Sequence, residues 1–485
     1  MKRLLAVSYV LSLVIVIFGL TMLFPMAVSV LYGDDALFAF KQGLSICLVL
    51  GAAMWLATRR FQRELQVRDG FLLVALAWLA LPAVAAIPFM LYFPDLSFTD
   101  AYFEAVSGLT TTGATIFQGL DTFPPSINIW RGELQWLGGM GILVLAVAIL
   151  PLLGVGGSQI FKAETPGPMK DTKLTPRITE TARGLWQVYF ILTLACIGAL
   201  KLAGMSWLDA VMHAFTTLSL GGFSTHDASY GYFDSPLVEA VTIVFMLLAG
   251  LNFGSHFLAF RRLSLVPYRS DPELGWYFLV LAASCAGIAL YLWLHGTYAD
   301  FGTALRYATF NTVSMATTTG YASTDYNQWP IFAPLWMLFL SSFTSCSGST
   351  GSGIKMVRAL LLYKQVVREM TRIIHPQAIV PVKLGGNVVP NNVIYAVLAF
   401  SFLWMASVVA MTLLLSASGL EIVSAFTAVI ACITNTGPGL NEVGPATNYA
   451  SLTDFQTWVC SFATVLGRLE LFTLFILLNP GFWRK

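Results

Sequence analysis

The chain has 485 residues, 57% of them hydrophobic and only 11% charged, with a mean hydropathy of +0.73. Soluble domains carry about 25% charged residues, so a soluble fold is excluded, and a net charge of +2 gives no footing for nucleic acid as a partner. What remains is an all-α integral membrane protein with membrane lipid as its surroundings, because several apolar stretches exceed the ~20 residues a helix needs to cross a bilayer.

Met1-Lys2-Arg3 opens an apolar run to Tyr32 that is too long for a signal core and lacks a convincing small-residue cleavage site, so it reads as a retained span. Further spans are expected near 37–58, 70–93, 129–155, 184–204, 236–260, 275–296, 330–362, 388–417 and 453–482, ten in all. Alternate connections hold the positive charge. The N-terminus, 59–69, 156–184, 261–274, 355–387 and the last two residues together carry 22 of the 27 Lys and Arg. By the positive-inside rule both termini are expected in the cytoplasm. The six cysteines (Cys47, Cys196, Cys285, Cys346, Cys432 and Cys460) lie in apolar segments without CxxC or Cys/His spacing, and read as small buried residues.

Four semi-apolar stretches on the outer side, about 14 residues each, are too short to cross a bilayer. They read DAYFEAVSGLTTTG (100–113), DAVMHAFTTLSLGG (209–222), YATFNTVSMATTTG (307–320) and SAFTAVIACITNTG (424–437). All four have Ala second and Gly last, at Gly113, Gly222, Gly320 and Gly437, and a further Gly recurs downstream at Gly139, Gly250, Gly348 and Gly467. This is an internal repeat of span, re-entrant half-helix, loop and span. The expected organisation is two leading helices (1–69) and four pore repeats at 70–160, 161–262, 263–372 and 373–485, the third with a broken second helix. Each repeat has two full spans, so the repeats are parallel about an axis along the membrane normal, unlike the inverted repeats of many secondary transporters. Four such units enclose a central hole.

The chemistry of that hole suits a cation. Ser97-Phe-Thr-Asp100 and Ser206-Trp-Leu-Asp209 are capping patterns in one register, Ser418-Gly-Leu-Glu421 is similar three residues out of register, and the third unit has only Asp300 nearby. Half-helices that start outside point four partially negative C-termini toward the membrane centre. The loops that follow are Thr110-Thr111-Thr112-Gly113, Ser219-Leu220-Gly221-Gly222, Thr317-Thr318-Thr319-Gly320 and Thr434-Asn435-Thr436-Gly437. They contain no carboxylate, so the ligands must be backbone carbonyls with hydroxyls in support. Rings of carbonyls that replace a hydration shell are the potassium-channel solution. One shared Gly per loop, against two in TVGYG, predicts fewer defined ion sites and looser discrimination against sodium. Ordinary turns capping re-entrant helices are the competing explanation for any one loop.

Two further features stand out. After Trp336-Met-Leu-Phe-Leu340 the chain runs through Ser345, Cys346, Ser347, Gly348, Ser349, Thr350, Gly351, Ser352 and Gly353, poor helix material for mid-bilayer. This run is no phosphate-binding loop, because Ile354 separates Gly353 from Lys355 and no Ser or Thr follows the lysine. A packing kink of small residues is the alternative. Arg468 is the one basic residue in the centre of the last span and costs at least about 2.5–3.5 kcal/mol on insertion scales. It must face the interior, either beside the ion path or paired with Glu470 or helix carbonyls. Arg131 with Glu133, and His213 and Glu104, read as braces.

On the four loop glycines, Gln135-Trp-Leu-Gly-Gly-Met-Gly141, the 345–355 run and Gly467-Arg-Leu-Glu470, the whole chain resembles the membrane subunits of the Trk/Ktr/HKT potassium-uptake family, of the bacterial TrkH type. The resemblance implies potassium uptake across the bacterial inner membrane, a homodimer, and a cytosolic nucleotide-binding regulatory subunit of the TrkA type. It also implies that residues 345–353 form an intramembrane loop obstructing the pore beneath the filter, with Arg468 as its partner in gating. In sodium-permeable relatives the first loop carries Ser where this chain has Gly113, so glycine in all four places resembles the potassium-preferring version. Potassium is the transported ion, and no organic cofactor or enzymatic activity is expected. A symporter coupled to sodium or protons is the runner-up; it would need an intramembrane carboxylate, and Glu104, Glu239 and Glu470 are the candidates. An intramembrane enzyme is remote, and no ATP-binding motif is present.

Overall fold

The computed structural model describes residues 2–61, 66–149 and 178–484. The end of the expected 129–155 span, the boundary between the first two repeats and most of the basic 156–184 segment lie outside the described residues.

The chain is built of helices: α1 (Lys2–Thr21), α2 (Leu23–Tyr32), α3 (Leu37–Thr58), α4 (Val67–Ala85), α5 (Ile87–Tyr92), α6 (Phe98–Leu109), α7 (Pro125–Ile149), α8 (Ile178–Leu202), α9 (Trp207–Leu218) and α10 (Pro236–Ala249). They continue with α11 (Phe253–Arg262), α12 (Leu274–Leu294), α13 (Phe301–Ala316), α14 (Phe332–Ser341), α15 (Met356–Ile374), α16 (Asn391–Ala417), α17 (Ile422–Ile433), α18 (Asp454–Arg468) and α19 (Phe472–Leu478). Among the described residues one antiparallel ladder pairs β1 (Lys383–Leu384) with β2 (Asn387–Val388) between α15 and α16. Six of the described spans are long and apolar enough to cross a bilayer alone, and two bent helix pairs reach the same test together.

Helices α6, α9, α13 and α17 are the four half-helices. Ser97 and Ser206 cap the first two as their sequence pattern predicts, each accepting from an Asp backbone N–H. Asp300 caps α13. The fourth differs from the sequence expectation: the cap is Glu421, not Ser418, which brings this half-helix into register with the first two. The third half-helix is the exception, with 16 residues against 12 in the others, because Asp300 stops the chain one turn further out.

Two expected spans are not straight. The 236–260 span bends by 94° between α10 and α11, and the 453–482 span bends by 112° between α18 and α19. The carbonyls freed at the first bend are taken up by the interrupted third-unit span. Cys346 N donates to Gly250 O at 3.1 Å, Thr350 Oγ1 to Ala249 O at 3.3 Å, and Phe253 N to Gly348 O at 3.0 Å. Two breaks that would each be forbidden in lipid thus satisfy one another. At the second bend Glu470 and Leu471 are consecutive non-glycine residues with φ of 53° and 49°, a conformation costing roughly 1–2 kcal/mol per residue. The Glu470 carboxylate is held there by Arg358 of α15 at 2.8 Å.

The four units close into a ring through one recurring contact. The second helix of each unit packs on the half-helix of the next: α7 on α9, α10 on α13, α14 on α17, and α18 back on α6. Helices α1 and α3 pack on each other at the side of this ring, with α1 also against α4 and α2 against α7. All six cysteines are buried and unbridged.

A candidate ion filter and the loop beneath it

Each half-helix ends in the same hydroxyl contact. The Thr or Ser after its last residue donates to a helix carbonyl one turn back: Thr110 to Val106 O, Ser219 to Phe215 O, Thr317 to Val313 O and Thr434 to Ile430 O, all between 2.7 and 2.8 Å. The next residue turns left-handed, with φ of 54° at Thr111, 54° at Leu220, 66° at Thr318 and 52° at Asn435. Two positions on, the glycines have φ of 86°, 79°, 85° and 94°. Positive φ at alternate positions redirects successive peptide planes without extending the loop.

Those glycines also interlock. A Cβ on Gly113 would fall within 3.0 Å of Gly221 O, one on Gly222 within that distance of Thr319 O, one on Gly320 of Thr436 O, and one on Gly437 of Thr112 O. Each glycine therefore receives the carbonyl of the residue preceding the next loop's glycine, in the cyclic order one, two, three, four, one. No side chain fits at any of the four places, and the carbonyls of Thr112, Gly221, Thr319 and Thr436 form one closed ring. An open cavity of about 80 Å³ is lined by all four glycines. Loops four and one, neighbours in that order, are also tied by a side chain, where Asn435 Nδ2 donates to Thr112 Oγ1 at 2.9 Å.

The mouth is braced by charge. Arg131 pairs with Glu104 at 2.8 Å, both side chains fully buried, rather than with Glu133 as sequence proximity suggests. The guanidinium also donates to Ser224 O at 2.9 Å, while Glu104 accepts from Thr115 and from Ile116 N, so one ion pair fixes the segments leaving the first two loops. His213 is likewise structural, bridging Asp209 O and Ser224 Oγ. Further out, His226 Nδ1 contacts Asp121 and its Nε2 lies 3.3 Å from Asp209, which joins the loop of one unit to the half-helix of the next. Burial alone would lower the His226 pKa, but the carboxylates of Asp209 and Asp121 outweigh it and hold it above the ordinary histidine value.

Residues 342–355 lack helix and lie against the inner ends of the filter loops. Ser345 Oγ donates to Thr317 O at 3.3 Å, Thr350 Oγ1 to Leu218 O at 2.9 Å, and Ser352 N to Thr318 Oγ1 at 3.2 Å. The predicted run Ser345, Cys346, Ser347, Gly348, Ser349, Thr350, Gly351, Ser352 and Gly353 is thus beneath loops two and three and contacts both. Arg468, 1% exposed, donates to Thr350 O at 3.2 Å, Ser352 Oγ at 3.3 Å and Gly138 O at 2.9 Å. It does not pair with Glu470, whose carboxylate goes to Arg358.

Two contributors escaped sequence reasoning. Glu273, at the start of α12, accepts from both Ser347 N and Val357 N at 3.0 and 3.1 Å, pinning the two ends of the intramembrane segment on one carboxylate oxygen. Gln135 of α7 donates to Gly221 O at 2.6 Å. The signal for Gln135 was available: the second loop has Gly221 where the other three have threonine. Glu273 has no such signal, since an acidic residue before a span is unremarkable at the sequence level.

Removing one partner of a buried ion pair leaves the other uncompensated, at a cost of about 3–5 kcal/mol. Glu104→Ala should lower unfolding stability by that amount, read from denaturant or thermal unfolding of purified protein in detergent; a loss below ~1 kcal/mol would mean the mouth is held by packing instead. Because the folded His226 pKa is raised, its contribution is complete below the unfolded value of about 6.5 and is lost as pH rises through the folded value. The thermal midpoint should therefore fall with rising pH across that window in the wild type, and the dependence should flatten in His226→Asn.

Residues 36–482 match the family model described as TrkH, cation transport protein. The chain is 46% identical over 479 residues to the Trk system potassium uptake protein TrkH of Vibrio parahaemolyticus, covering 98% of each chain. It is 44% identical over 481 residues to the protein of that name from Escherichia coli K12, covering 99% of both, and 37% identical over 480 residues to the TrkG of the same strain, covering 99% of this chain and 98% of that one. Its fold superposes on the crystal structure of the potassium transporter TrkH from Vibrio parahaemolyticus with a TM-score of 0.91 at 43% identity, across 99% of this chain and 100% of that one. The all-helical ring, the match along nearly the whole sequence and the shared fold lead to one conclusion: this chain belongs to the TrkH family of cation transport proteins.

Proposed function

We propose that this protein takes up potassium ions across the bacterial inner membrane through the single-chain filter formed by residues 110–113, 219–222, 317–320 and 434–437. The observation that carries this is the closed ring of four carbonyls, each seated against a glycine of the neighbouring loop. Such a ring offers dipoles of one sign and no side-chain charge, which suits a weakly hydrated monovalent cation. The names of the relatives, potassium uptake proteins of Trk systems, support potassium as the ion. In this reading residues 345–353 are the gate, with Arg468 holding it closed. The family resemblance extends the reading to a homodimer under a cytosolic nucleotide-binding subunit of the TrkA type, and the charge distribution puts both termini in the cytoplasm.

Passive conduction is favoured over symport. The three carboxylates singled out in the sequence as coupling-ion candidates are each engaged by an arginine: Glu104 by Arg131, Glu239 by Arg306 and Glu470 by Arg358. A charge already compensated at 2.7–2.8 Å is a poor site for sodium or a proton.

The test is cation flux in liposomes containing purified protein, with a potassium gradient and sodium, proton and lithium controls. Reversal at the potassium equilibrium potential, insensitive to sodium and proton gradients, is the expected result; a reversal potential that follows either gradient at fixed stoichiometry would make the protein a symporter. Arg468→Ala removes three hydrogen bonds between the last span, the intramembrane loop and α7. Basal potassium flux should rise by about tenfold, equivalent to ~1.4 kcal/mol on the closed state. Unchanged or reduced flux would dismiss Arg468 as a gating residue.

A further inference from the structure

The second loop departs from the pattern of the other three at one position. In loops one, three and four, the threonine before the glycine pairs its hydroxyl with that of the residue two places earlier: Thr112 with Thr110, Thr319 with Thr317 and Thr436 with Thr434, at 2.7–2.8 Å. Since the earlier hydroxyl is itself bonded to a half-helix carbonyl, each of these loops is tied back to its own half-helix. Loop two keeps the first hydroxyl, Ser219, but has Gly221 in place of the second. It cannot form the tie.

A side chain from the preceding unit occupies the vacated place. Gln135 is fully buried on α7, and a Cβ on Gly221 would come within 3.0 Å of its carboxamide carbon. Both ends of the amide are used. Nε2 donates to Gly221 O at 2.6 Å, and Oε1 accepts from Phe223 N at 3.1 Å, so the side chain spans Gly222 from one side to the other. The orientation is fixed, because a flipped amide would set oxygen against carbonyl and N–H against N–H. Phe223 in turn lies under the Arg131 guanidinium, 4.3 Å from its ring centre. Gly221 O is a member of the carbonyl ring, so Gln135 acts directly on a group that faces the neighbouring loop's glycine.

We infer that Gln135 is a specificity-determining residue, which sets the position and field of the Gly221 carbonyl and so the discrimination between potassium and smaller cations. This rests on the filter reading above and deepens it. Selectivity in a carbonyl ring depends on how many dipoles converge and on how firmly each is held. Three of the four loops hold theirs from within. The second depends on a neighbour, and without it Gly221 O is free to rotate or close in on a smaller ion.

The experiment measures the potassium-to-sodium permeability ratio, from bi-ionic reversal potentials in proteoliposomes, for wild type, Q135A, the double variant Q135A/G221T and, as a control on the ring itself, G320A. Q135A is expected to lower the ratio by about threefold to tenfold, the worth of one net hydrogen bond, while cation flux persists. The double variant makes room for a threonine able to pair with Ser219, and should recover the ratio to within about twofold of wild type. An unchanged ratio in Q135A, with selectivity lost in G320A, would leave Gln135 as a space-filling residue and overturn the inference alone. A wild type without preference for potassium would overturn the filter reading itself. Should Q135A not purify as monodisperse protein, Q135M keeps the side-chain volume while removing the donor to Gly221 O and the acceptor for Phe223 N; its ratio should also fall, and an unchanged ratio would count against the inference in the same way.

Discussion

The constraint on which the rest of the structure depends is the seating of a carbonyl where a side chain would otherwise be. Four loops can approach one axis closely enough to present backbone dipoles only if each gives up its Cβ to the next. The cost is a residue with large conformational freedom in the unfolded chain, at four places. The return is a ring whose members position one another. The outer architecture follows from it: the second helix of each unit packs on the next half-helix at every step, and the ring closes between the fourth unit and the first.

A ring of backbone at membrane depth leaves many polar groups away from bulk water, and the protein answers many of them with polar groups of its own. The bend after α10 and the interrupted span of the third unit exchange hydrogen bonds. Serine and threonine hydroxyls cap the inner carbonyls of half-helices two and three. Arginines pair with Glu104, Glu239 and Glu470. These contacts share a logic with the mouth, where the Arg131–Glu104 pair ties consecutive units together. Several of these partners come from a different unit, as with Cys346 on Gly250 O, Thr350 on Leu218 O and Arg358 on Glu470, so satisfying a buried group there also fixes the relative placement of two units.

Much of this was legible in the sequence because it repeats. The half-helix pattern, the glycines and the run of small residues at 345–353 are visible as four copies, or as one conspicuous departure from four copies. What could not be read was pairwise and long-range. Arg131 has Glu133 two residues away, yet its partner is Glu104, because residues at i and i+2 on a helix point apart and the half-helix presents its carboxylate across the gap. The bends after Ala249 and Arg468 lie in apolar sequence that scores as continuous span; they persist because Cys346, Thr350 and Arg358, far along the chain, supply partners. The cap at Glu421 was misplaced because Ser418 is the better capping residue in isolation, and only the register of the ring selects between them.

The departures from fourfold symmetry carry the most functional meaning. A tetramer of identical subunits would have to repeat any feature four times around the axis. One chain with four units can place a feature once. The second loop lacks a threonine, the third unit's second helix opens into a loop, and the fourth unit's second helix carries Arg468. These changes are neighbours in space: Thr350 of the opened segment donates to Leu218 O at the end of the second half-helix, and Arg468 donates to Thr350 O. The ring therefore keeps its symmetry at the glycines, where each neighbouring carbonyl leaves no room for a side chain, and gives it up just beneath, on the side of units two, three and four. The opened segment is held by Arg468 together with Glu273 and the carbonyls of Gly250, Leu218 and Thr317, so, on the proposed gating reading, one asymmetric set of contacts governs the path. On that reading opening is coupled to one movement of α15, the helix that continues from the loop, rather than to a concerted change in four subunits.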